Sequence, residues 1–240
     1  MLFDRPLLFG TLIRRFNRFF AEIELEHFPP LFSREAEGKK IVAHCPNTGS
    51  MKGVNVPGAR VAVSYHPEPE RRMHYTWQLI QLEGDWVGIN TMVPNRITAE
   101  ALEAGLIPCF RRYSSYRQEV RYGEHSRLDF ALGKAERCLV EVKNVTLVED
   151  GLAKFPDCVS ERATKHLHCL MDNIKHGGKS TVLFVIQHHA ANYFGPADDL
   201  DPVYGKTLRQ AVKKGMKIEA WKAKVTTEEI RLSEKVRVRL

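Results

Sequence analysis

Asp129, Glu141 and Lys143 are the residues of this chain whose types and spacing can do chemistry. They form the pattern D-x11-E-x-K. Two carboxylates offer oxygen ligands to a hard divalent cation such as Mg2+ or Mn2+, which keeps several waters when bound. The main-chain carbonyl of Val142 can add a further oxygen. A cation held there polarises a phosphodiester oxygen and makes a bound water easier to deprotonate. Lys143 can stabilise developing negative charge or orient that water. The three residues are thus candidate catalytic groups, with Asp129 and Glu141 the candidate metal ligands. A short D…ExK pattern arises often by chance, so its weight depends on the elements that carry it.

Those elements read as two strands, Ser126-Arg-Leu-Asp-Phe and Leu139-Val-Glu-Val-Lys-Asn, joined by a turn at Gly133-Lys-Ala-Glu136. Successive strand side chains point to opposite faces, so Glu141 and Lys143 share one face and Val140 and Val142 the other. Burying a carboxylate and an ammonium on an apolar strand is costly without partners or a purpose. A hairpin symmetric about Ala135 sets position 129 opposite 141, with both carboxylates on one face. A loop centred between two residues would put them on opposite faces. A three- or five-residue loop containing Gly133 is therefore expected.

Downstream, Leu167, Leu170, Met171 and Ile174 fall at helical spacing in a segment ending at Gly177-Gly178. Arg162, Lys165 and His166 lie near its beginning, where a helix N-terminus favours a phosphate. A solvated first turn is the plain alternative, and His166 alone would most often be structural. Ser180 to Gln187 is a nearly continuous apolar run, expected as a strand buried on both faces. Strand, helix and strand in that order suggest a crossover in a mixed sheet covered by helices. Further helices are expected over 97–105, with Thr98 as N-cap, and over 207–215; Asp198-Asp-Leu-Asp-Pro reads as a polar loop between them.

The first 85 residues read mostly as short strands with turn signals, a small barrel or sandwich. Ala21, Ile23 and Leu25 alternate toward one side. Arg14, Arg15 and Arg18 sit among Phe16, Phe19 and Phe20. Basic residues interleaved with aromatics can track a phosphate backbone and stack bases. The phenylalanines fit a core equally well, with the arginines a solvated face. His44-Cys-Pro-Asn-Thr-Gly-Ser-Met-Lys-Gly53 is a polar loop whose amides, Thr48, Ser50 and Lys52 can hold a phosphate. It lacks the GxxxxGK[ST] spacing, and an ordinary structured turn is the stronger reading by pattern alone.

Composition sets the outer bounds. A chain of 240 residues can bury a sizeable core. No apolar run approaches the ~20 residues needed to span a bilayer, and no signal-peptide pattern opens the sequence. Five scattered cysteines without a CxxC pair argue against a zinc cage or disulfide framework and for a cytoplasmic setting. The formal net charge is +7. Eleven basic and ten acidic residues precede position 86, and twenty-five and nineteen follow, so the surplus accompanies the Asp129–Lys143 stretch. A basic surface favours nucleic acid through counterion release, although a merely soluble basic protein carries the same charge.

Several of these stretches together resemble one family. Ser126-Arg-Leu-Asp-Phe, Glu141-Val-Lys-Asn-Val-Thr-Leu, Phe155-Pro-Asp and Lys165-His-Leu are similar to motifs of the sugar fermentation stimulation protein A family, as are His44-Cys-Pro-Asn-Thr-Gly-Ser-Met and Gly88-Ile-Asn-Thr. The resemblance covers essentially the whole chain. It implies an OB-fold-like barrel over 1–85 and a PD-(D/E)xK nuclease-like α/β domain with a mixed sheet over 86–240. It also implies bacterial, cytoplasmic, non-specific DNA binding with a link to maltose metabolism. Carried over by position, the nuclease-like triad is Asp129, Glu141 and Lys143, and Arg127 joins the basic residues around it. Cys158, Ser160 and Ala163 depart from the alanine, threonine and glycine expected there, which alters the start of the helix and leaves the triad untouched. Two expectations follow: a metal-dependent nuclease, or a non-catalytic DNA-binding regulator on the same scaffold.

Overall fold

The computed structural model describes residues 1–27, 40–123, 126–134 and 138–240. The first unit is built from β1 (Leu8–Phe16), β2 (Phe20–Leu25), β3 (Lys40–His44), β4 (Arg60–Tyr65), β5 (Tyr75–Leu82) and β6 (Asp85–Gly88). Their order is β3-β2-β1-β4-β5-β6, and a parallel pairing of His44 with Thr76 joins β3 to β5. That closes five strands into a barrel, which removes the exposed edges of an open sheet. Ala21, Ile23 and Leu25 are buried inside, as their alternation predicts, with Val61, Val63, Trp77 and Ile80. Gly10 is required where β1 crosses β2: a Cβ there would lie 2.5 Å from the Glu24 carbonyl oxygen. Because β6 pairs with β5, this sheet runs three residues past the expected boundary at 85.

The second unit begins with α1 (Val93–Glu103) and continues through β7 (Tyr116–Tyr122), β8 (Ser126–Leu132), β9 (Cys138–Val145), β10 (Leu147–Glu149), β11 (Leu152–Phe155), α2 (Glu161–Lys175), β12 (Lys179–Ile186), β13 (Tyr193–Pro196), α3 (Pro202–Lys213), β14 (Lys217–Val225), β15 (Ile230–Lys235) and β16 (Arg237–Val238). The main sheet has the order β15-β14-β12-β9-β8-β7. β12 lies parallel to both β9 and β14, and the outer pairs are antiparallel, so the sheet is mixed. As its apolar run predicts, β12 is central and buried on both faces.

Those two faces carry separate cores. Val182, Phe184 and Ile186 pack with Leu167 and Leu170 of α2 and Leu208 of α3. Leu183 and Val185 pack with Val140, Val142 and Ile97, together with Ala62 and Leu79 from the outside of the barrel. The barrel is therefore fastened to the sheet through a shared apolar layer. Fully burying one such aliphatic side chain contributes about 1.5–3 kcal/mol.

Two helices start earlier than their sequence signals suggest. α1 begins at Val93, not near Thr98, which is an interior residue buried at 0% exposure. Pro94 in the first turn supplies a fixed φ suited to a helix start, and Val93, Ile97 and Ala101 give the buried i, i+4 stripe. α3 begins at Pro202 because Asp201, placed in a loop by composition, is its N-cap and accepts from Tyr204 N at 2.9 Å. No helix among the described residues is long and apolar enough to cross a membrane.

Candidate nucleic-acid and metal site

The β8–β9 hairpin sets the geometry. Its register pairs Phe130 with Val140, Ala131 with Leu139 and Leu132 with Cys138. Every pair is centred on position 135, the symmetry that brings Asp129 level with Glu141. Ala135 and Glu136 themselves lie outside the described residues. The ladder stops at Phe130 and Val140, and one step beyond it Asp129 Oδ2 accepts from Val142 N at 2.7 Å. A side-chain carboxylate thus takes up an amide where the strands part. Asp129 Oδ1 accepts from Asn95 Nδ2 of α1 at 2.8 Å.

Glu141 is only 3% exposed, and its Oε1 gathers two partners. Lys143 Nζ donates to it at 2.6 Å, and Nδ1 of His166, from α2, hydrogen-bonds the same oxygen. Glu141 and Lys143 do share a face, as strand alternation predicts. His166 is buried as well, at 5% exposure. Its role differs from the phosphate contact expected of it: it orients Glu141 from the helix above. Oε2 of Glu141 is buried without a hydrogen-bond partner among the described residues.

The two carboxylates respond differently to this environment. Burial first, and then the neighbouring Glu141 charge, pushes Asp129 up to about 6. Burial acts to raise Glu141 too, but the His166 hydrogen bond and the Lys143 ammonium outweigh it and hold the group below its ordinary value. Adjacent carboxylates whose environments drive them apart divide into one readily ionised and one readily protonated group.

The donor set fits a hard cation. An ionised carboxylate oxygen buried without a donor is costly to leave unmatched, and Asp129 keeps lone pairs beside it. Among the described residues no three His, Cys, Asp or Glu side chains group as a metal site, so the fit rests on two carboxylates, with waters to complete the shell.

An open groove of about 720 Å3 adjoins the cluster. Arg121, Arg127, Arg162 and Lys165 line it with Ser126 and Glu161, and so does His166, the hydrogen-bond partner of Glu141. Arg127, Arg162 and Lys165 are thereby brought together from β8 and α2. Ser160 caps α2 by accepting from Ala163 N at 3.2 Å, and its own amide donates to Asp201 Oδ2 at 2.9 Å.

The barrel residues lie elsewhere. Arg14 is exposed, donates to Glu22 and sits 5.1 Å over the Phe16 ring. Arg18 is exposed at the β1–β2 turn. Arg15 is turned inward, and its Nη2 donates to the carbonyls of Arg18, Asn47 and Gly49, so it fastens loops together. Phe16 and Phe20 stack half-buried at 5.5 Å and Phe19 is exposed, so this trio is not core. In the 44–53 loop Thr48 is exposed. Ser50 Oγ donates to Asp157 at 2.8 and 3.0 Å, and Met51 N donates to Asp157 Oδ2 at 2.9 Å. Lys52 pairs with Glu149 at 3.0 Å. Ser50 and Lys52 thus clasp the barrel to the second unit.

Sequence reasoning missed three residues here. Asn95 followed a proline in a turn-like stretch, with no pattern to mark it. Arg121 was one charge on a strand of mixed character. Tyr204 of α3 is fully buried, its hydroxyl has no partner among the described residues, and the Glu141 charge reaches it. A tyrosine among the apolar positions of α3 was the available signal.

Fold and site together define a two-domain protein: an OB-type barrel joined to a mixed α/β domain with a buried carboxylate, lysine and histidine cluster beside a basic groove. The chain belongs to the sugar fermentation stimulation protein family. Residues 13–89 match the family model "SfsA N-terminal OB domain", and residues 92–229 match "Sugar fermentation stimulation protein RE domain". It is 48% identical to a sugar fermentation stimulation protein homolog of Geobacter sulfurreducens, over 99% of this chain and 98% of that one. It is 47% identical to a homolog of Geobacter metallireducens, over 99% of each chain. Among solved structures, one described as "The structure of Pyrococcus Furiosus SfsA in complex with Ca2+" matches with a TM-score of 0.85. It shares 23% identity over 100% of this chain and 98% of that one, a likeness of fold.

Proposed function

We propose that the protein binds DNA without sequence specificity along the basic groove and cleaves phosphodiesters at Asp129, Glu141 and Lys143 with a bound divalent cation, Mg2+ or Mn2+. The observation that carries this reading is the unpartnered, buried Oε2 of Glu141, whose carboxylate is bonded through Oε1 to His166, a residue lining a groove with four cations and one carboxylate. The Pyrococcus furiosus relative was determined with Ca2+, a hard cation that takes carboxylate oxygens, which supports the same assignment.

Asp129 and Glu141 would hold the ion, which when bound supplies Lewis-acid polarisation of the phosphate and a more acidic water. The protein's part is positioning. Asn95 and Val142 N fix the Asp129 carboxylate, while His166 and Lys143 fix Glu141. Lys143, held beside Glu141, is the cation that would counter charge developing on the phosphate. Arg127, Arg162 and Lys165 hold flanking phosphates and set the strand in register.

A second reading has its own support. Lys143 already donates to Glu141, so its charge is partly spent inside the site. That suits a non-catalytic DNA-binding regulator, and the relatives are named for sugar fermentation stimulation. Incubating the protein with single- and double-stranded DNA, with Mg2+, Mn2+ or chelator, separates the two. Metal-dependent cleavage lost in Asp129→Ala and Lys143→Ala is the expected result. Tight binding without cleavage under every condition would leave the regulator.

A further inference from the structure

The β1–β2 hairpin of the barrel is unusual for an exposed turn. Asn17 and Arg18 both have positive φ, at 48° and 63°, which gives a tight tip with Phe16 and Phe20 paired across it. Phe19 stands at that tip with 49% of its surface exposed. The tip is held fast: Cys45 N donates to the Phe19 carbonyl at 2.7 Å, and Arg15 grips Arg18 O from below. An aromatic ring presented on a fixed backbone loses little conformational freedom when it stacks on a ligand.

The tip is also tied by hydrogen bonds to the segment that precedes α2. The 47–51 loop that Arg15 holds is bonded to Asp157. Arg15 bonds both Arg18 O and Gly49 O, and Ser50 Oγ donates to the Asp157 carbonyl, so the tip and the residues before α2 belong to one bonded network. Val159 follows, 70% exposed, and then Ser160, the cap of α2. The first turns of α2 carry Arg162 and Lys165 into the groove. These bonded segments lead from Phe19 past Val159 to the groove at the start of α2, so that this path sets exposed apolar residues among cations.

We propose that this path is a track for single-stranded DNA, with Phe19 stacking on an unpaired base, Val159 contacting the next exposed base face, and Arg18 and Arg162 meeting phosphates. A duplex hides its base faces and offers only phosphates, so it would leave Phe19 and Val159 against water. The inference rests on the DNA-binding reading above and narrows its substrate to a single strand.

Fluorescence titrations with oligonucleotides of one sequence, single-stranded and duplex, test it at two salt concentrations. The expected result is tighter single-strand binding, weakened about 10-fold by Phe19→Ala and retained in Phe19→Trp, with duplex binding unmoved by either. A 2-aminopurine base in the single strand should be quenched on binding, and Phe19→Ala should abolish the quenching. Because Phe19 is exposed, its variants should melt with the wild type. Duplex binding as tight as single-strand binding, with Phe19→Ala silent toward both, would overturn the track and leave DNA binding standing. Wild-type protein that binds neither form would remove the functional reading itself.

Discussion

Asp129 is the residue at which the proposed function and stability conflict. A group whose folded pKa is raised above its unfolded value, here from 3.8 to about 6, is penalised wherever it is ionised. The penalty is absent below the unfolded value, grows as pH rises through the interval, and is complete above about 6. Asp129→Asn should therefore melt higher than wild type at pH 8 with chelator present, by on the order of 1–2 kcal/mol, and the gap should close between pH 6 and pH 4. Calorimetry across that range measures it; a constant gap would refute the assignment. The same proton competes with a cation. Divalent-ion affinity should fall as pH drops through 6, and Asp129→Asn should lose both the affinity and its pH dependence in isothermal titration. Glu141, held below its ordinary value by His166 and Lys143 against the pull of burial, should not add a second step near neutral pH.

Among the elements, α2 and α3 are joined at their starts by one carboxylate. Asp201 caps α3 through Tyr204 N and accepts from the amide of Ser160, which caps α2. Removing the α2 cap alone, Ser160→Ala, should cost about 1 kcal/mol in urea unfolding. Asp201→Ala removes both contacts from a residue 3% exposed, and should cost about 2–3 kcal/mol. It should also disturb the groove, because Arg162 and Lys165 ride on the first turns of α2. A cost no larger than that of Ser160→Ala would mean the two helix starts are independent. Strand alternation, the apolar run of β12 and the stripe of α2 were legible in the sequence because each reports a local burial pattern. The starts of α1 and α3 were not. A proline in the first turn and an aspartate cap read as loop chemistry until the helix behind them is packed.

On the scale of the whole molecule, the barrel and the α/β domain meet through the layer that includes Leu79, Ala62 and Val140, and through the Ser50, Met51 and Asp157 clasp. Asp157→Ala should loosen the clasp, lowering stability by about 1–3 kcal/mol. It should also weaken single-strand binding more than duplex binding, since only the former depends on the alignment of the Phe19 tip with α2. Gel-shift comparison with an exposed control substitution checks that. The basic groove should give a linear fall of log affinity with log salt, and Arg162→Ala should reduce the slope by about 1.

While the register about position 135 came from the structure, the sequence by itself determined the hairpin, the shared face of Glu141 and Lys143, and the strand-rich first unit ahead of a mixed α/β domain. These follow from side-chain period and turn chemistry, which act between near neighbours. Only the tertiary structure decided which distant groups complete the site. Asn95 reaches Asp129 across 34 positions, and His166 reaches Glu141 across 25. It also gave Arg15, Ser50 and Lys52 partners within the chain, and it left Phe19 exposed at the hairpin tip. Periodicity tells which face of an element is buried, but the identity of the element laid against that face is set by the packing of the whole chain.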